Sequence, residues 1–400
     1  VVTWNSTRYT SQEVFDLEQR RIFGRQWMCV AHSSEVPEAG SFIRVDLGGE
    51  NLLVVRNRDG RIRALVNLCR HRGAQLCLDD QGSFRRSIRC LYHGWTYDLD
   101  GRLVGVPWAD AMPPGTKDRH LHTASATEWL GYIWINLDPA AAPLDDQVDP
   151  LIRARFGNDF NPIPHYGTED LRIAHSISYD VQANWKILWE NFDECYHCPT
   201  MHAELCAAVP QFRGGYGTVT GPQGLGAQLA DGATGFSSSG QAIAPKLPGV
   251  PAADGHTFYG ILLWPNASLV FVPDHVFWMR LEPLGPSRTR VVGDWLFHPD
   301  AVREPGFDPA DAVKVIDATN REDFEACERV QLGTHSPHFD DAQIHSPYEY
   351  RIAEFRRWVD SALSEDGAPY TPAQQTEQTG NSATDARTRN RGESRDGSAT

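Results

Sequence analysis

No stretch of this sequence approaches the roughly 20 consecutive apolar residues that a membrane-crossing helix needs. The opening VVTWNSTRYT lacks the charged and then apolar regions of a secretory signal, so the cytoplasm is the expected location. Positive charge is scarce as well: 37 basic side chains face 52 acidic ones, a formal net charge of −15. A chain that acidic has no general attraction for phosphate backbones or anionic lipid, so neither nucleic acid nor a membrane is an expected partner. No Gly-x-Gly-x-x-Gly follows a strand-like run, so no nicotinamide or flavin site is predicted within the chain. Beyond Ser364 there is no Val, Ile, Leu, Met, Phe or Trp, and residues 364–400 are expected to form a disordered tail. What remains is rich enough to fold: 41% of the 400 residues are apolar and 10% aromatic, enough for two or three domains.

Thr10 and Glu13 predict a capping box for a first helix carrying Val14, Phe15, Leu17, Ile22 and Phe23. From about Ser41 the pattern changes to strands, with Gly48-Gly49 and Asp59-Gly60 as hairpin turns. The Ala- and Pro-rich stretch Pro139–Pro150 predicts a linker. A strand over Leu171–Tyr179 and a helix over Val181–His197 follow. Gly214–Ala253 has no periodicity and predicts a lid or an excursion. Val276–Pro283 and Thr289–Phe297 predict a hairpin. Asp308-Pro309 opens a helix to about Gly333, and Ser346-Pro347 another to Leu363.

Two clusters of metal-ligand residues stand out among eight cysteines and 15 histidines. CRHRG places Cys69 beside His71, and CLYHGW places Cys90 near His93. Zinc is one reading, but its motifs usually pair thiolate with thiolate. A mixed Cys/His pair in each of two hairpin tips is what a Rieske-type [2Fe–2S] cluster needs, with one iron on thiolates and the other on imidazoles. The second cluster lies in ENFDECYHCPTMH. His197 and His202 would diverge by about 140° on a continuous helix. Pro199 pushes Cys198 out of helical backbone, so the chain can turn and let both rings face one metal. Glu194 lies within reach of the His197 ring. A facial triad for non-haem iron needs one more carboxylate, and Asp323 in NREDFEACERVQLG is the candidate, with Glu322 and Glu325 as neighbours that could substitute. Asp193 competes with Glu194 but points about 100° away on a helix. Cys195 and Cys198 read as two packed thiols. Tyr92 and Trp95 adjoin His93 and would shield the cluster or simply pack. Trp189, Phe192, Tyr196, Phe212, Tyr216, Tyr259, Trp264 and Trp278 are enough to cage a trimethylammonium, although a large core also needs aromatics.

These motifs together resemble the large (oxygenase) subunit of the Rieske non-haem iron oxygenases, from about Tyr9 to Leu363. The resemblance implies an α+β fold, with a Rieske β domain (39–140) inserted in a helix-grip catalytic domain. That domain would comprise an N-terminal helical part (1–38) and residues 141–363, with an antiparallel sheet and long helices. It implies that Cys69, His71, Cys90 and His93 hold the cluster and that His197, His202 and Asp323 hold a mononuclear Fe(II). It further implies a homotrimer in which Glu194 bridges one subunit's cluster to its neighbour's iron, where many ring-hydroxylating members carry Asp. Glu at this position, and the general likeness of HSSEVPEAGSFIRVDLGGENLLVVRNRDG, resemble the subgroup acting on glycine betaine, carnitine and stachydrine. The expected activity is O2-dependent N-demethylation of a quaternary ammonium compound, with electrons from NAD(P)H arriving through a separate reductase. Aromatic-ring hydroxylation is the alternative, and a Rieske electron carrier without its own catalysis is a third reading.

Overall fold

The computed structural model describes residues 4–215, 226–341, 345–346 and 349–364. The expected tail at 365–400 and Tyr216 lie outside the described residues. Among those described, no helix is long and apolar enough to cross a membrane.

Three antiparallel sheets order the chain, and mixed helices pack on them, as the α+β expectation requires. The first has seven strands in the order Met28–His32, Tyr132–Asn136, Thr123–Trp129, Ile62–Val66, Glu50–Arg56, Ser41–Leu47 and Gln81–Ser83. Gly48 and Gly49 turn Ser41–Leu47 into Glu50–Arg56, and both have positive φ (59° and 86°) as a two-residue hairpin turn of this hand demands. Beside it sits a small sheet of Ile88–Arg89, Thr96–Tyr97 and Leu103–Gly105. Leu53, Val55, Leu65, Ile88, Trp95 and Tyr97 form the shared core of these two sheets.

The third sheet has six strands in the order Arg172–Val181, Arg288–Phe297, His275–Gly285, Ala267–Val272, Thr257–Leu263 and Ala227–Gln228. Its packed helices include Trp185–Phe192, the long Ala310–Gly333 and Tyr350–Leu363. The long helix buries Ala312, Val315, Ile316, Asn320, Asp323, Phe324 and Cys327, a stripe of helical period facing the sheet. Tyr132 joins the seven- and six-stranded sheets: its ring stacks on Trp278 at 3.9 Å and its hydroxyl donates to Asp294 at 2.8 Å. The N-terminal segment packs away from the seven-stranded sheet. Trp185 Nε1 donates to Glu18 at 2.8 Å, and Lys186 pairs with Glu18 at 2.6 Å, both groups fully buried.

Several local expectations shift. The helix Gln12–Glu18 is capped by Ser11, whose hydroxyl accepts from Val14 N–H, because Thr10 instead closes the preceding turn by donating to Ser6 O. Half of the expected linker is helix. Leu144–Phe156 begins after Pro143 and runs through Pro150, held by Leu144, Val148, Ile152 and Phe156 packed on one side. In the region predicted as a lid, Leu229, Phe236, Leu247 and Val250 are buried against the rest of the protein.

Candidate active site

The two Cys/His pairs occupy turns of nearly the same construction. Gly73 N–H donates to Cys69 O and Gly94 N–H to Cys90 O, each at 3.0 Å. Both glycines have positive φ (74° and 73°), a backbone that side-chain-bearing residues rarely adopt. The turns face each other, so His71 Nδ1 lies 3.2 Å from His93 Nδ1. Cys69 and Cys90 are buried behind the two rings, and His71 stacks on Trp95 at 4.9 Å. Tyr92 covers His93 at 3.7 Å while remaining 59% exposed. Burial raises the Cys69 thiol above its ordinary range, opposed by the Tyr97 hydroxyl 3.4 Å away. Tyr97 also accepts from Arg70 N–H at 3.0 Å, a role that its place in a strand pattern did not reveal. Two thiols beneath two converging imidazoles match the donor set of a Rieske cluster.

The second cluster is assembled differently from the sequence reading. The helix Trp185–Phe192 stops before Glu194, so Glu194 and His197 meet across a turn and do not share a helical face. Pro199 opens the next short helix, Cys198–Met201, and His202 directly follows it. The two rings lie 5.0 Å apart and nearly perpendicular. Asp323 rises from the buried stripe of the long helix, and its Oδ1 lies 3.2 Å from His197 Nε2 and 3.0 Å from His202 Nε2.

Each ring's other nitrogen is held as well. His197 Nδ1 donates to Glu194, and His202 Nδ1 donates to Glu322 at 2.7 Å. Glu322 thus orients His202 and does not displace Asp323, a partnership that the sequence reading missed. The available signal was chemical: a ligating imidazole ordinarily gives its second N–H to a carboxylate or carbonyl. Burial alone would lower His197, but its bonds to Asp323 and Glu194 outweigh it and raise the ring to about 9. His202 is raised by Asp323 and Glu322 against the same burial, and Asp323 is held low by both rings. Three donor atoms converging on one point, their charge balanced by extra protons, are a donor set suited to a divalent ion.

Asp193 turns aside to pair with Arg351 at 3.1 Å, as its different direction implied. Cys195 and Cys198 are not separate thiols but are bonded to each other. Cys198 sulfur lies near both histidines, yet in that bond it offers no thiolate to a metal.

The triad opens into a cavity of about 220 Å³. Of the expected aromatic cage, Phe192 and Phe212 line it, whereas Trp189, Trp264 and Trp278 pack in the core and Tyr196 is exposed. Phe258, Phe277 and Met279 supply further apolar wall, and Arg155 and Arg351 bring positive charge.

The family described as the ring hydroxylating alpha subunit (catalytic domain) matches residues 168–365, and the Rieske [2Fe-2S] domain matches residues 26–117. The chain is 30% identical over 390 residues to the glycine betaine monooxygenase oxygenase subunit of Chromohalobacter salexigens, covering 89% of this chain and 84% of that one. It is 32% identical over 266 residues to the carnitine monooxygenase oxygenase subunit of Escherichia coli K12, covering 66% of each. A solved quaternary ammonium Rieske monooxygenase, described with carnitine oxidation and inter-subunit electron transfer, superposes with a TM-score of 0.68. The match has 25% identity and covers 90% of this chain and 95% of that one.

Proposed function

The chain belongs to the alpha (oxygenase) subunits of the Rieske non-haem iron oxygenases, and on that premise we propose that it N-demethylates a small quaternary ammonium compound. It is an oxidoreductase whose family carries a Rieske [2Fe–2S] cluster and a mononuclear iron. In this reading Cys69, His71, Cys90 and His93 hold the cluster, and His197, His202 and Asp323 hold the iron. When bound, the cluster supplies electrons singly and the iron supplies the place where O2 and substrate meet.

The protein's own residues do the rest. Glu194 and Glu322 fix the two imidazoles in the tautomer that presents Nε2 to the metal. Asp323 closes the third position, leaving the cavity side open to substrate. Phe192, Phe258, Phe277 and Met279 exclude water and give the N-methyl groups apolar and aromatic surface. The reaction consumes O2, two electrons and two protons. One oxygen atom enters an N-methyl C–H bond and the other leaves as water. The resulting hemiaminal breaks its C–N bond, releasing formaldehyde, a proton and the demethylated amine.

A separate reductase, using NAD(P)H, supplies the electrons, and the working unit is a homotrimer. Leu91 and Tyr92 support such pairing, because they surround His93 and are 93% and 59% exposed, available to meet a neighbouring copy. Glu194 of that neighbour would accept from the second nitrogen of His93 and join the two centres by hydrogen bonds.

One observation carries the reading: the converging His197–His202–Asp323 triad opens into a small, largely apolar cavity. The test is a panel of N-methyl compounds given to the reconstituted protein with a reductase and scored for formaldehyde. Release from a trimethylammonium substrate is expected. Hydroxylation of an aromatic ring without formaldehyde from any N-methyl compound would replace this reading with the ring-hydroxylating one.

A further inference from the structure

The cavity beside the triad has more charge than the metal site uses, and the surplus is positive. Among its described lining groups, Asp323 is committed to both imidazoles, Glu194 to His197, and Asp193 to Arg351. That leaves Arg155. It stands in the last turn of the helix Leu144–Phe156, and its guanidinium reaches the sheet, where Nε donates to Gly260 O at 2.8 Å. The guanidinium lies 4.8 Å over the Phe156 ring, which braces it. The residue is only 6% exposed, yet it lines the same cavity as His197 and Asp323. Burial, reinforced by the positive charge of Arg351, brings its pKa down to about 9.

A buried cation pushed toward neutrality by burial and a second cation gains when an anion arrives. A guanidinium has five N–H donors in a fixed fork, so a bond to Gly260 O leaves donors for a carboxylate.

We propose that Arg155 is the anion anchor of the substrate cavity, binding a carboxylate on the substrate and so selecting acidic quaternary ammonium compounds over purely cationic ones. The proposal rests on the reading of this cavity as the substrate site. Arg155 acts as a positioning residue: gripping one end of a short substrate fixes which N-methyl carbon reaches the triad.

Glycine betaine and choline share the trimethylammonium and differ in carboxylate against hydroxyl, which makes them the probe pair. Calorimetry on the anaerobic, iron-loaded protein should show glycine betaine binding at least about tenfold more tightly than choline, the scale of a charge-assisted bond. Arg155→Gln should remove that preference by weakening glycine betaine alone, and Arg155→Lys should restore part of it without the fork geometry. In turnover, the loss should fall on KM more than on kcat. Equal weakening of both ligands by Arg155→Gln would mark a structural residue and overturn the anchor. If Arg155→Gln does not fold, the unaltered protein decides, because equal affinity for the two probes overturns the proposal by itself. If neither quaternary ammonium binds, the pair becomes benzoate and toluene. An Arg155-dependent preference for benzoate then upholds the anchor while overturning N-demethylation, and no carboxylate preference in this pair overturns the anchor.

Discussion

The cluster turns gather their four donors from residues 69–94, whereas 121 residues separate His202 from Asp323 in the iron site. In the turns, local backbone does the work. A glycine N–H bonded back to the cysteine carbonyl closes each one, and the two copies face each other. In the iron site, packing does it: a short helix opened by Pro199 and a buried stripe on the long helix meet under a sheet. Exposure divides them further. The cluster's thiols are buried while its rings look outward, whereas His202 and Asp323 are both buried. An outward imidazole suits a site that exchanges electrons with another surface. An enclosed triad suits one that must keep water from a reactive centre.

The largest effects should come from removing one donor on each side. Cys90→Ser should bleach the visible [2Fe–2S] spectrum, because a hydroxyl replaces a soft thiolate poorly. Asp323→Ala should lose iron and turnover by more than the roughly 10–100-fold that follows loss of an outer partner. Each variant should leave the other centre loaded, as read by the visible spectrum and by iron analysis. Loss of both centres from either change would show that the two regions fold as one unit. A normal spectrum in Cys90→Ser would remove that residue from the ligand set.

A finer contrast lies between the two glutamates. Glu194→Gln should slow turnover by roughly 10–100-fold with both centres loaded. The cluster should still accept an electron, and its reoxidation in the presence of O2 and substrate should slow, as stopped-flow absorbance would record. Glu322 is 43% exposed, so water can replace part of its bond to His202. Glu322→Gln should therefore fall below about tenfold. A reversed order would move the bridging role from Glu194 to Glu322.

The smallest expected effect is on pH dependence. His197 in the metal-free site is raised to about 9, so it must shed a proton before ligating iron. Iron(II) affinity should fall as pH drops below about 9, and titration calorimetry should record proton release on binding. Affinity that does not change with pH would show that the rings are already neutral.

The contrast also explains what could be read in advance. Cys69, His71, Cys90 and His93 were legible because each pair lies within four residues and its glycine follows at once. Asp323 was legible by period, since Ile316, Asn320, Asp323 and Cys327 lie on one buried face and Glu322 and Glu325 do not. The helix through His197 was overextended, because an apolar pattern does not mark the turn at Asp193 that frees Glu194. The pairing of Glu322 with His202, the bond between Cys195 and Cys198, and Arg155 at the cavity escaped notice for one reason. Each depends on how distant or folded-back segments meet, and sequence spacing carries no record of that.

The embrace between the first helices and the last one sets an order of assembly. Trp4 Nε1 donates to Asp360 at 3.1 Å, Tyr9 donates to Glu190, and Arg356 Nη2 donates to Tyr9 at 3.0 Å. A ribosome makes Trp4 some 356 residues before its partner. The cluster sheets, whose strands all lie between Met28 and Asn136, can close while the opening segment still waits. The catalytic half is complete only when Tyr350–Leu363 emerges, so truncation just before that helix should spare the red cluster unit and strand Trp4 and Tyr9 without their seats.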